Sequence, residues 1–244
     1  MFNGTRSGPD GRRTQLGSAL TPGNGTTGNG HMTEPARRPA ADSKVVTALT
    51  EVDVGSPAQR QRRKRILDAT LALASKGGFD AVQMRAVAER ADVALGTLYR
   101  YFPSKIHLLV SGLARELEVV LERMERTTIP GATPADRVLL ILSRNTKALQ
   151  RDPQLTEAMT RAFMFADTSV AAEVVEVGRL TERMFTHAMG VAEASDEDKA
   201  IARVISDVWL SNLVAWVTRR ATAEDVENRL RLTVRLLLGH RTND

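Results

Sequence analysis

From residue 56 onward, apolar side chains recur every three to four positions, the period of a helix with one buried face. Ser56-Pro57-Ala58-Gln59 reads as a helix start: Ser caps, Pro fits the first turn, and Gln three residues on closes a capping box. Ile66, Leu67, Thr70, Leu71 and Ala74 then form a stripe that Gly77-Gly78 ends. Met84, Val87, Ala88 and Ala91 share a face of a short helix, Asp92-Val93 makes a tight turn, and Ala94 to Tyr101 makes a second short helix. Ser104 opens a helix reaching about Arg126. Thr133-Pro134-Ala135-Asp136 and Asp152-Pro153 open two more, and Asp167 opens a long one ending at Gly190. Ser195-Asp196-Glu197-Asp198 and Thr222-Ala223-Glu224-Asp225 open the last two. No stretch alternates with period two, so strands are not expected. The reading is an all-α fold of about nine helices: an N-terminal helix-turn-helix domain of three helices, then a helical domain. No internal repeat is visible.

The last two helices carry more apolar surface than one core needs. In 201–217, Ile201, Val204, Ile205, Val208, Trp209 and Trp216 share one face, while Leu210, Leu213, Val214 and Val217 form another. A helix apolar on two faces is buried between two partners. One would be its own domain and the other a second subunit. Helix 223–238 adds Val226, Leu230, Val234, Leu237 and Leu238, so a homodimer through the last two helices is expected; the alternative is a large monomeric bundle. Asn212 interrupts the first face, and Asn145 interrupts the stripe of Val138, Ile141, Leu142, Ala148 and Leu149. A buried amide without a partner costs on the order of 1–3 kcal/mol. Each Asn therefore bonds a nearby backbone group or lines a ligand cavity.

Composition divides the chain. Residues 1–55 hold 8 of the 17 glycines within the first 30 positions and 4 of the 9 prolines within the first 40, and are expected to be a disordered N-terminal extension. Gly30-His31-Met32 fits either a cloning scar or an internal start. Residues 56–105 contain 10 basic and 4 acidic side chains, whereas 106–244 contain 18 and 20. The positive charge thus sits in one block, as in a polyanion-binding module joined to a neutral one; the plainer alternative is a solvated basic face. Absence of cysteine excludes disulfide scaffolds, zinc fingers, iron–sulfur sites and thiol catalysis. No unbroken apolar run is longer than Val138–Leu142, and no signal-peptide core opens the chain, so a cytoplasmic protein without a membrane is expected.

Catalysis is not expected. The four histidines, His31, His107, His187 and His240, stand in no metal-ligand spacing, and no nucleophile elbow, Walker loop or dinucleotide glycine motif appears. The positive block instead contains a helix-turn-helix pattern, with Leu98 and Phe102 inward and Thr97, Tyr99 and Arg100 outward. Gly96 lets a backbone approach DNA closely. Five basic residues at 60–65 would lie on phosphates or reach the minor groove, or simply be solvated.

The run Ala88-Glu89-Arg90-Ala91-Asp92-Val93-Ala94-Leu95-Gly96-Thr97-Leu98-Tyr99-Arg100-Tyr101-Phe102-Pro103-Ser104-Lys105 resembles the signature of TetR-family repressors. The resemblance implies that Tyr99 and Lys105 hold phosphates and that Leu95, Gly96, Thr97 and Arg100 approach bases; Arg60, Arg63 and Arg85 are the further expected DNA contacts. Asp92 stands where the family usually has Gly, and Gln83 and Ala94 where a capping Ser or Thr is common. Residues 59–70, 155–162 and 201–213 resemble the branch of this family that represses sterol catabolism genes in actinomycetes. That resemblance implies a dimer on palindromic double-stranded operator DNA, with 56–105 reading DNA and 106–240 dimerising and holding a lipid-like effector. The effector it implies is a sterol-derived acyl-CoA thioester, with no other cofactor and no metal. The other readings are a regulator of another hydrophobic ligand, such as a fatty acyl-CoA or an effluxed drug, and a non-specific nucleic-acid binder. Expected ligand contacts are Leu109, Leu113, Asn145, Met164, Phe165, Met184, Phe185, Trp209, Asn212 and Trp216, since Met and Phe adapt to bulky ligands; ordinary core is the alternative for each.

Overall fold

The structure, a computed structural model, describes residues 55–241, so the expectation for the N-terminal extension lies outside the described residues. The described residues form nine α-helices and no strand: α1 (Pro57–Ala81), α2 (Met84–Ala91), α3 (Leu95–Tyr101), α4 (Lys105–Glu125), α5 (Pro134–Arg151), α6 (Pro153–Met164), α7 (Ala171–Met189), α8 (Asp196–Val217) and α9 (Ala223–Leu238). The all-α reading is right.

Most helices begin where the sequence marks a cap. Ser56, Thr133, Ser195 and Thr222 each close a complete capping box, with Gln59, Asp136, Asp198 and Asp225 reaching back. The Asp152 carboxylate accepts from the Leu155 N–H at 2.9 Å to start α6. Two boundaries differ from expectation. Gly77-Gly78 interrupts the first helix rather than ending it: Gly78 takes a left-handed φ of 66°, and the chain regains one further turn to Ala81. Asp167 caps a short 3-10 turn, Thr168–Val170, so the long helix starts at Ala171.

One continuous apolar core joins the helices. α1 packs on α2, α4 and α6; α4 packs on α6 and α7; α8 lies against α6, α7 and α9; and α5 lies against α7 and α9. By length and composition α8 is long and apolar enough to cross a membrane, with a window of mean hydropathy 1.3, although no unbroken apolar run is long. Ile201, Ala202, Ile205, Trp209 and Leu213 are buried in the bundle, yet only 28% of that window is buried in all. Val204 on α8 and Leu232 and Leu236 on α9 remain outward. This corrects the helix-wheel assignment: Leu213 turns into the bundle, and Val204 does not.

Candidate functional site: a reading head and an apolar cavity

α2 and α3 form the helix-turn-helix. Asp92 sits at φ 52°, ψ 57°, the left-handed conformation that a Gly would adopt with less strain, and the Val93 N–H donates to the Ala88 carbonyl at 3.0 Å. Leu98, Tyr101 and Phe102 are buried in the core, and α3 packs on α2. The opposite face presents Leu95, Gly96, Tyr99 and Arg100 to solvent, with Thr97 half-buried. A Cβ at Gly96 would meet nothing within 4 Å, so this surface is open to a close approach. Arg60 and Arg85 are exposed, while Arg63 is half-buried with its guanidinium 5.4 Å from the Phe102 ring centre. The α2 and α3 starts, at Gln83 and Ala94, have no side-chain cap.

Beside the head lies a junction that the sequence did not announce. Phe79, just past the α1 break, donates its N–H to Glu157 Oε2 at 3.1 Å. Lys105 Nζ stands 3.8 Å from the Phe79 ring centre and the Arg161 guanidinium 4.4 Å from it. Lys105, expected on phosphate, therefore has an internal partner as well. Gly78 belongs to the same contact, because a Cβ there would come within 3.1 Å of Glu157 and 3.3 Å of Gln154.

The other face of α6 lines a cavity of about 330 Å³ enclosed by α4 to α8. Leu113, Leu117 and Val120 of α4, Leu149 of α5, Leu155, Met159 and Phe163 of α6, and Leu210 of α8 make it mostly apolar. A wider groove of about 1270 Å³ at the far end, lined by Arg126, Arg137, His187 and Arg241, is polar and open. Its cations are engaged: Arg137 donates to the carbonyls of Gly131, Ala188 and Met189, and Arg241 pairs with Glu197 and Asp198. The smaller, apolar cavity is the better ligand site.

Two family models match the chain: "Bacterial regulatory proteins, tetR family" over residues 66–111 and "Tetracyclin repressor-like, C-terminal domain" over 131–237. The HTH-type transcriptional repressor KstR of Rhodococcus jostii (strain RHA1) is 65% identical over 202 residues, covering 83% of this chain and 94% of that protein. The chain belongs to the TetR family of transcriptional regulators. KstR of Mycobacterium tuberculosis is similar too, at 58% identity over 84% of this chain and 93% of its own length. A TetR regulator from Rhodococcus sp. RHA1 superposes with TM-score 0.68 at 32% identity, covering 77% of this chain and all of that one. Thermus thermophilus FadR, solved in complex with lauroyl-CoA, shares the fold at TM-score 0.58 and 21% identity, covering 75% and 96%. This is a KstR-like TetR transcriptional repressor, in a class of regulators that are not enzymes.

The lining of the cavity overlaps only in part with the expected ligand contacts. Leu113, Asn145 and Trp209 do line it. Leu109 is fully buried and does not line it; Met184 and Phe185 are fully buried behind its wall, with Met184 Sδ 3.2 Å from Asn145 Nδ2 and the Phe185 ring edge-on to Trp209 at 5.9 Å. Asn212 is off the wall, donating to the Val208 carbonyl at 2.8 Å, and Trp216 is half-buried away from it. Met164 and Phe165 are 53% and 66% exposed at the end of α6, so these expected contacts are corrected. The missed wall residues Leu155, Met159 and Phe163 stand at i, i+4 and i+8, a signal that marks an inward face without telling core from cavity.

Proposed function

We propose that this TetR repressor binds palindromic operator DNA as a homodimer and leaves it on binding a lipid-like effector, a sterol-derived acyl-CoA, so controlling sterol or lipid catabolism genes. In this reading residues 56–105 read DNA, with Leu95, Gly96, Thr97 and Arg100 at base edges and Arg60, Arg85, Tyr99 and Lys105 on phosphates. Residues 106–240 dimerise and hold the effector. The outward apolar Val204, Leu232 and Leu236 favour α8 and α9 as the dimer surface.

The observation that carries the reading is the double duty of α4 and α6. Each lines the cavity, and each touches the head: α4 through Lys105 and α6 through Glu157 and Arg161. A bulky apolar body between them changes how the head is held. Only an effector that prefers the altered arrangement shifts the equilibrium. The resemblance of residues 59–70, 155–162 and 201–213 to the sterol-catabolism branch favours a sterol-derived thioester, and the same fold accommodates lauroyl-CoA in the Thermus protein. At about 330 Å³ the cavity takes the apolar body and leaves the coenzyme outside.

The test is operator binding by fluorescence anisotropy against free sterols, free sterol acids, fatty acyl-CoAs and sterol acyl-CoAs. Release by the sterol thioester at roughly micromolar levels, and not by the free sterol, is expected. Release by free sterol alone, or by nothing in the panel, overturns the ligand. Equal affinity for specific and scrambled duplexes overturns the operator reading.

A further inference from the structure

Phe79 owes its place to two glycines. Gly77 and Gly78 leave the helical conformation, and just past them the Phe79 N–H donates to Glu157 Oε2 of α6 at 3.1 Å. Phe79 is buried, and its ring meets two cations, Lys105 of α4 at 3.8 Å from the ring centre and Arg161 of α6 at 4.4 Å. The two cations are not equivalent. Arg161 also has carboxylates beside it, Asp80 and Glu157, each at 3.6 Å. Among the described residues no carboxylate pairs with Lys105. Nor does its own helix hold it. Lys105 is the first residue of α4, at the positive end of the helix dipole, and the first turn of α4 carries no acid. The Phe79 ring is therefore what holds the Lys105 ammonium in place. A neutral ring does this without cancelling the charge.

From this asymmetry, and resting on the reading above that Lys105 lies on a DNA phosphate, we propose that Phe79 is the positioning residue of that contact. A lysine stem is long and flexible, and ordering it on a phosphate costs conformational entropy. A stem already held over a ring has lost most of that freedom before DNA arrives, so less of the binding energy is spent on it. Phe79 acts through Lys105 and makes no contact with DNA itself. Its ring is shared with Arg161 and its N–H is held by Glu157, so the readiness of Lys105 for DNA is set from α6. A head whose ring has been removed keeps its charge and its outward face on α3, and loses only the cation held in advance.

The test is a double-mutant cycle on DNA affinity, read by fluorescence anisotropy with the full chain and a duplex that the native chain selects from a random library. Lys105→Met should weaken binding about tenfold and lower the salt slope by about one phosphate contact. Phe79→Leu should weaken binding about fivefold. Phe79→Tyr keeps a ring face and should stay within about twofold of the native chain. In the Lys105→Met background, Phe79→Leu should cost less than about twofold, because the residue it positions is gone. Should thermal melting show that Phe79→Leu does not fold, Phe79→Met fills the space without a ring and gives the same comparison. Native affinity in the ringless variant, an equal loss in Phe79→Tyr, or losses that simply add in the double variant overturn the proposal and leave Lys105 on its phosphate. Native affinity and salt slope in Lys105→Met overturn the phosphate reading, and the proposal with it.

Discussion

The starts of α2 and α3 differ from those of α5, α8 and α9. In the second region each helix closes on itself: Thr133, Ser195 and Thr222 accept from the backbone three residues on, and Asp136, Asp198 and Asp225 return the bond. In the reading head, Gln83 and Ala94 offer no side chain, so the first N–H groups of α2 and α3 have no internal side-chain acceptor. Local capping stabilises the starts of α5, α8 and α9, whereas α2 and α3 depend on the buried Leu98, Tyr101 and Phe102, and α1, which has its own capping box, meets α6 at the Phe79 junction. Helices held by packing rather than by their own caps respond when a neighbour moves.

The strongest way to break this division is to separate the subunits. Leu236→Glu puts a charge on the outward face of α9, and the variant should sediment as a monomer with operator affinity lowered about a hundredfold or more. A variant still dimeric on DNA would place the interface elsewhere.

Within the head, Arg100→Ala should cost roughly 1–3 kcal/mol of operator binding and relax preference at one base pair per half-site. Lys105→Ala should weaken all duplexes alike and flatten the salt slope. Because Lys105 also rests on Phe79, it should lower the unfolding midpoint slightly too. Unchanged base preference in Arg100→Ala, measured on a panel of operator variants, would remove its role.

At the junction, Glu157→Ala strands the Phe79 N–H and should destabilise the chain by about 1–3 kcal/mol in urea unfolding. It should also reduce the effector's influence on operator affinity. Full coupling in this variant would show that α6 does not carry the signal.

The caps also predict a pH dependence. The Ser195 hydroxyl bond, followed by Arg241, holds the Asp198 carboxyl below its ordinary value, and the Thr222 N–H does the same for Asp225. A depressed carboxylate stabilises above the unfolded pKa of about 3.9 and loses that contribution as pH falls through the folded value. Stability should therefore decline below about pH 4, and Asp198→Asn should flatten part of that decline in thermal melts across pH 2–6.

The smallest effect sharpens the comparison. Ala94→Ser supplies the missing α3 cap and should raise stability by about 0.5–1 kcal/mol. An unchanged unfolding midpoint would mean that packing already holds the α3 start.

Much of this was legible because caps are local. Thr133-Pro134, Asp152-Pro153, Ser195 and Thr222 needed only neighbours in sequence to mark their helices. Asp92-Val93 was readable as a tight turn for the same reason, and Asp92 takes the left-handed φ there. The α1 break was misread as an end because its continuation depends on Glu157, Lys105 and Arg161, far away in the chain. The cavity was half legible. Periodicity places Leu113, Asn145 and Trp209 inward, but whether an inward residue meets another side chain or a void depends on five helices at once, as buried Met184 and Phe185 show. Met164 and Phe165 were chosen for residue type, and they sit exposed at the end of α6.

α6 is a wall of the cavity on one side and a support of Phe79 on the other. Equilibrium linkage makes that arrangement symmetrical. An effector that lowers operator affinity by some factor is itself held less tightly, by the same factor, when the operator is bound. An occupied promoter then competes for its own inducer, and the concentration that lifts repression rises with the number and quality of operators in the cell.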